Sequence, residues 1–233
     1  MERLIHRADS RGGGDHGWLK TKYSFSFADW YEPSRMGFGS LRVINDDSIA
    51  PDSGFGAHQH KDMEIITIVM DGTVTHKDSM GNEGTVKAGE VQVMSAGTGV
   101  VHSEFNVSKD EPLSLFQIWI EPKSTNIAPR YAQHAFGRRT EPGLTTLVSP
   151  EGSEEGLHIH QDAYIYEGVV NAAHPLTYSL KSEEGKVYVL VIDGTLIIEG
   201  DTLEKRDAMG FWDTKDISIQ SPSAATFLLI EVS

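Results

Sequence analysis

At 233 residues the chain can bury a sizeable core as one large or two modest domains, and its formal net charge of -14 argues against binding a phosphate backbone, an affinity that comes from clustered Lys and Arg. It has no cysteine, which excludes disulfides and thiolate ligands, so any metal must be held by His, Asp or Glu. No apolar run approaches the roughly 18 residues of a membrane span, and residues 1–7 lack the apolar core of a secretory signal, so a cytoplasmic protein is expected.

Residues 1–37 are rich in Gly and aromatic residues. The alternation of Tyr23, Phe25 and Phe27 predicts a half-buried strand whose aromatic cluster serves as core or barrel lid. Gly12, Gly13 and Gly14 do not lie between a strand and a helix, so they are not a dinucleotide loop. A strand follows at residues 41–44, ended by turn chemistry in Asn45-Asp46-Asp47 and again at residues 50–54. From Met63 the pattern is β throughout. The β-branched stretch 63–70 leads into Asp71-Gly72, a hairpin turn signal, before residues 73–76. Further strands are expected at 91–94, 102–107 and 113–120. Short strands at regular spacing, with no long helical period, predict an all-β barrel or sandwich.

Residues 121–142 carry Pro122, Pro129 and Pro142 and few apolar runs. A domain connection is placed there, giving an N-terminal domain at 1–130 and a C-terminal domain at 131–233. Beyond it strands resume at 145–148, 157–170, 176–180, 187–192, 195–199 and 227–232. The stretch Ile68-Val69-Met70-Asp71-Gly72-Thr73-Val74 is echoed by Val191-Ile192-Asp193-Gly194-Thr195-Leu196. The echo fits two barrels of related design.

Two histidine clusters lie between strong β signals, His58-Gln59-His60 and, after a glycine-rich loop, His102-Ser103-Glu104. Side chains in a strand alternate faces, so His58 and His60 share one face, about 6.6 Å apart, and His102 and Glu104 share another. If the two strands face each other across a barrel, three imidazoles and a carboxylate converge on one metal site of nitrogen and oxygen donors. Glu64 competes with Glu104 for the carboxylate position. It lies about 13 Å beyond His60 on an unbroken strand, so it needs a bend or bulge to reach the metal. A second H-x-H at His158-Ile159-His160 has no histidine after His174 to complete a site, and reads as two strand histidines on one polar face. His16, His76, His134 and His174 sit in turn-like or solvated contexts.

The stretch from Gly54 to Gly72 around His58-x-His60-x-x-x-Glu64 resembles the first motif of the cupin barrels, and that from Gly89 to Asn106 the second. More narrowly, Ser24-Phe25-Ser26-Phe27-Ala28, residues 36–47, His58-x-His60-Lys61-Asp62-Met63-Glu64 and Met94-Ser95-Ala96-Gly97-Thr98-Gly99-x-x-His102-Ser103-Glu104 resemble the pirin family, which includes bacterial pirin-like quercetin dioxygenases. Ser95 stands where cupins usually carry Pro. The resemblance implies two tandem cupin barrels, jelly-roll-like, with the metal in the N-terminal one and a degenerate C-terminal one. It also implies His58, His60, His102 and Glu104 as ligands, with Glu64 behind them.

Such a donor set leaves two octahedral positions open, which suits Fe(II) first and also admits Ni, Co, Mn, Cu or Zn. The implied reaction is quercetin 2,3-dioxygenation, with flavonol and O2 as substrates, carbon monoxide as a product and Glu104 as general base. The other class the resemblance implies is a metal-binding regulatory protein that contacts transcription factors or enzymes without touching nucleic acid or membrane itself.

Overall fold

The chain forms almost wholly β-structure, and helix is limited to two 3-10 turns, Ala8–Ser10 and Pro33–Arg35. No helix is long and apolar enough to cross a membrane. The structure, a computed structural model, describes residues 1–233 in two compact units. One comprises Gly12–Gly137 with Leu157–Gln161; the other comprises Met1–Arg11, Arg138–Gly156 and Asp162–Ser233.

The sequence placed a single boundary at 130, and the structure departs from it in three places for reasons of pairing. Residues 131–137 stay with the first unit because Arg130–Ala135 pairs along its whole length with Glu90–Ser95. Residues 1–11 go with the second unit, where Glu2–His6 pairs with Ala208–Trp212 and the Asp207 carboxylate accepts from the Arg7 guanidinium and the Ala8 N–H. Residues 157–161 return to the first unit, where the His158 carbonyl accepts from Arg130 Nη1 at 2.6 Å and the His160 carbonyl from the Lys123 N–H at 2.8 Å.

After β1 (Glu2–His6), the first unit is built from β2 (Gly12–Asp15), β3 (Leu19–Tyr23), β4 (Leu41–Ile49), β5 (Ser53–His60), β6 (Glu64–Asp71), β7 (Thr73–Asp78), β8 (Glu83–Lys87), β9 (Glu90–Ser95), β10 (Val100–Asn106), β11 (Leu113–Ile120) and β12 (Arg130–Ala135). One sheet runs β12-β9-β6-β11-β4-β3-β2 and the other β5-β10-β7-β8. They pack face to face over Leu19, Ile49, Val69, Val74, Val86, Leu113 and Leu115. Each such side chain, removed from water, stabilises the sandwich by about 1.5–3 kcal/mol.

Two local readings are corrected. The strand expected through Tyr23, Phe25 and Phe27 ends at Tyr23. The chain turns at Ala28 (φ +49), while Phe25 is buried from outside the ladder. Asn45-Asp46-Asp47, read as a turn, instead continues β4 to Ile49, paired with β11. Leu41, Val43, Asn45, Asp47 and Ile49 share one face of β4 and all are buried, so the polar pair is carried into the barrel by its apolar neighbours.

Burial pushes the Asp47 carboxyl up to about 7. In the unfolded chain an aspartate loses its proton near pH 4, so between about pH 4 and 7 the native protein holds a proton that the unfolded chain has released. Stability therefore falls as pH rises through that window. Asp47→Asn removes the titration. In urea unfolding at pH 4, 6 and 8 it will flatten this part of the profile and raise stability at pH 8 by up to roughly 4 kcal/mol, at about 1.36 kcal/mol per unit of pKa. A profile unchanged from wild type would show that Asp47 ionises normally.

The Asp71-Gly72 signal is a turn but not a hairpin. It joins β6 in the larger sheet to β7 in the smaller one, and the two strands do not pair. Gly72 has φ +78, and a Cβ there would lie 2.8 Å from the Pro112 carbonyl oxygen and 3.1 Å from Leu113 Cα.

The second unit repeats the device. One of its sheets orders Glu2–His6, Ala208–Trp212, Lys186–Asp193, Ala225–Val232, Tyr164–Val170 and Gly143–Pro150, while Leu196–Ile198 lies in another. At the corner between Asp193 and Leu196, Gly194 has φ +84, and a Cβ would lie 2.7 Å from the Ala224 carbonyl oxygen and 2.9 Å from Ala225 Cα. The short sequence echo thus marks the same corner in both units.

Candidate metal centre

Strand β10 lies between β5 and β7 and brings the two histidine clusters together. His102 sits directly opposite His58, and Val100 opposite His60. On the other flank His102 faces Asp78 and Glu104 faces His76. The β5–β10 ladder slips between His102 and Glu104, whose partners are His58 and Phe55, so Gly56 and Ala57 together oppose Ser103. A bulge of this kind re-aims side chains. Here it lets Phe55, which packs on the apolar cluster, share the interior with His58 and His60 despite the odd spacing.

The rings of His58, His60 and His102 stand 4.5 to 5.0 Å apart, and one nitrogen of each lies within 4.8 Å of the others. His58 Nδ1 is 2.8 Å from the Gly56 carbonyl oxygen, so Nδ1 carries the proton and Nε2 is left as an acceptor. His60 Nε2 and both ring nitrogens of His102 are buried without a hydrogen-bond partner. Burial first, and neighbouring histidines second, push His60 down to about 4 and His102 down to about 3. Both are neutral at physiological pH. Buried neutral imidazole nitrogens with no protein donor to satisfy them are the form that binds a divalent metal ion, and the residues present fit one.

Glu104 is 1% exposed and held by three donors. Thr67 Oγ1 and Gln92 Nε2 donate to Oε1 at 3.1 and 2.6 Å, and Gln117 Nε2 donates to Oε2 at 2.8 Å. Gln117 is itself oriented, because its Oε1 accepts from the Trp119 indole N–H at 3.1 Å, while the Tyr131 hydroxyl lies 3.0 Å from Gln92 Oε1 and 2.8 Å from Gln133 Oε1 and has one proton for the two. With its carbonyl committed, Gln117 must turn its amino group to the carboxylate. Burial holds the Glu104 carboxyl above its ordinary range, opposed by His76 and by the Thr67 and Gln117 donors. Oε1 receives two bonds and Oε2 one, so Oε2 keeps a free lone pair.

His76, read from sequence as turn-like or solvated, is fully buried. Its Nε2 lies 3.1 Å from Asp78 Oδ2, its ring stacks on Tyr131 at 4.5 Å, and donor atoms of His76, His102 and Glu104 come within 4.8 Å of one another. The signal was present, since Val74, His76 and Asp78 alternate with Thr73, Thr75 and Lys77 and all three are buried. Gln92 and Gln117, also missed, are single amides inside apolar runs.

Glu64 does not join the cluster. The required bend exists at Asp62 (φ +48), but it delivers Glu64 to β6 in the other sheet. Thr67 of β6 reaches Glu104, so Glu64, three positions earlier, points to the opposite face, where Ser95 Oγ donates to its Oε2 at 2.7 Å. His16, His134 and His174 are exposed. His160 of the second H-x-H faces the Glu64 carboxyl.

A family model described as Pirin matches residues 5–120, and one described as Quercetinase C-terminal cupin domain matches residues 146–232. Quercetin 2,3-dioxygenase of Escherichia coli (strain K12) is 43% identical over 228 residues, 98% of this chain and 97% of that protein. A pirin-like protein of Caulobacter vibrioides is 42% identical over 227 residues, 97% of each chain. Among solved structures, YhhW from Escherichia coli superposes with a TM-score of 0.95 at 42% identity, covering 100% of this chain and 98% of that one. The same bacterial pirin in complex with nickel(II) gives 0.94 at 42% identity, covering 99% of each chain. With two cupin-type β-units and relatives of this identity along its whole length, the chain belongs to the pirin family.

Proposed function

We propose that the chain is a metal-dependent dioxygenase that opens the heterocyclic ring of a flavonol such as quercetin with O2 and releases carbon monoxide. The observation that carries this reading is the convergence of three imidazoles, with His60 Nε2 and both nitrogens of His102 unclaimed by protein, beside a buried carboxylate with one free lone pair on Oε2. The relative of Escherichia coli named quercetin 2,3-dioxygenase supports it over the full length.

His58, His60, His102 and Glu104 are the proposed ligands. Fe(II) is the first candidate, and nickel is supported by the complex of YhhW. A metal held by these residues would supply Lewis acidity that lowers the pKa of a flavonol 3-hydroxyl. The chain's own part is to hold the carboxylate ready. Gln92, Gln117 and Thr67 stabilise its charged form, and the one free lone pair on Oε2 would take the 3-hydroxyl proton when it is loosened from the metal. Trp119, edge-on to His60 at 4.8 Å, helps exclude water from this side of the centre.

The test is anaerobic loading with Fe(II), then oxygen uptake and carbon monoxide release with quercetin. Metal-dependent uptake matched by carbon monoxide is expected. Stoichiometric metal binding without uptake would overturn the enzymatic reading in favour of a regulatory, protein-contacting one.

A further inference from the structure

A cavity of about 300 Å³ opens in the first unit, walled chiefly by Phe27, Trp30, Met36, Arg42, Met63 and Trp119. Trp119 connects it to the metal centre. Its indole stands edge-on to the Phe27 ring at 5.4 Å and to the His60 ring at 4.8 Å, while its N–H donates to Gln117, whose amide donates to Glu104. One side chain thus forms a wall of the cavity, touches a candidate ligand and orients the support of the carboxylate.

The cavity is built rather than incidental. Phe27 and Trp30 exchange backbone hydrogen bonds at 3.1 and 3.0 Å, Ser26 Oγ both donates to the Glu32 carbonyl and accepts from its N–H at 2.9 Å, and Arg42 Nη1 donates to the Ser26 carbonyl at 3.1 Å. Two indoles, a phenyl ring and two thioethers with a single guanidinium suit a flat aromatic ligand carrying a hydroxyl or phenolate. Its volume lies at the lower end for small-molecule sites, which matches part of a ligand rather than all of it.

Resting on the flavonol reading above, we propose that this cavity is the subsite for the aromatic ring of the substrate that lies away from the metal. Trp119 is the positioning residue that links occupancy of the subsite to the hydrogen bonding of Glu104.

The test uses Ni(II)-loaded protein under anaerobic conditions, where quercetin binds without turnover. Calorimetry compares wild type, Trp30→Ala, which empties a wall, and Met36→Trp, which fills the cavity from an exposed position. A 3-hydroxy-4-pyranone serves as a second probe, since it carries the chelating hydroxyl–carbonyl pair without the second ring. Expected results are unchanged Ni(II) binding, a quercetin Kd raised roughly tenfold in both variants, about one aromatic contact, and a pyranone Kd held within about twofold. Trp119→Phe, which keeps a ring but loses the N–H, will lower kcat roughly tenfold, with a smaller rise in KM from the reduced wall of the cavity.

An equal quercetin Kd in wild type and both cavity variants overturns the subsite while leaving the flavonol reading standing. Binding of the pyranone but not of quercetin to wild type overturns the flavonol reading and the subsite with it. An unaltered kcat in Trp119→Phe overturns the link to Glu104.

Discussion

His102→Ala will abolish both stoichiometric metal binding and oxygen uptake with quercetin. His102 belongs to both groups of converging donors, with His58 and His60 on one side and with His76 and Glu104 on the other. Its two nitrogens are buried with no protein partner, so the interior pays for that imidazole in the metal-free protein and recovers the cost only when a ligand arrives. Outer partners of metal ligands typically cost about 10–100-fold in affinity when removed, and loss of a ligand itself will exceed that. A metal that binds only the native state raises Tm. Thermal unfolding with and without Ni(II) will show this rise in wild type and not in the variant. Equal metal-induced rises in the two proteins would remove His102 from the ligand set.

Glu104→Gln is nearly isosteric, yet it will reduce turnover by at least about 100-fold and stability by roughly 1–3 kcal/mol. Its carboxylate meets only donors, and one of them, Gln117, cannot be turned around. Gln117 has committed its carbonyl oxygen to the Trp119 indole N–H, which can only donate. Set one way, the new amide's NH2 faces the fixed Gln117 Nε2, now at 2.8 Å from the carboxylate; set the other way, it faces Gln92 Nε2, now at 2.6 Å, and Gln92 and Thr67 must rearrange to accept it. Urea unfolding, metal analysis and turnover, measured together, separate lost metal from lost proton transfer. Glu64→Gln is the control, because its carboxyl lies on the far face of β6, and turnover there will stay within about twofold. Wild-type stability and turnover in Glu104→Gln would refute both the general-base role and the orientation of Gln117.

The core of the site was legible because it rests on the strand period of two. H-x-H and H-x-E each put two donors on one face without any knowledge of the partner strand, and the strong β signals on both sides supplied the rest. The supporting shell was not legible in the same way. Gln92 and Gln117 look like ordinary residues in apolar strands until β6, β9 and β11 are laid side by side. His76 was concealed by the charged and turn-forming residues that follow it, although its own alternation with Val74 pointed inward.

Turn chemistry misled twice, in opposite senses. Asn45-Asp46-Asp47 is overridden by the buried residues around it, and Asp71-Gly72 turns the chain without saying which sheet the next strand will join. The bulge at Gly56 and Ala57 leaves no mark in a simple alternation count. The assignment of residues 1–11 depends on a partner more than 190 positions away, as the bond from Arg7 to Asp207 illustrates, and no local pattern reports that.

That last pairing also bears on how the molecule is made. Synthesis is vectorial, and domains tend to fold as they leave the ribosome. Residues 12–137 can close around the candidate metal centre once residues 157–161 emerge. Glu2–His6, translated well before its partner strand, must wait for Ala208–Trp212. Until then an N-terminal strand with unpaired N–H and C=O groups is free to engage other nascent chains. The unit that carries the candidate metal centre is thus ready early, and the other is closed by a strand made long before the one it pairs with.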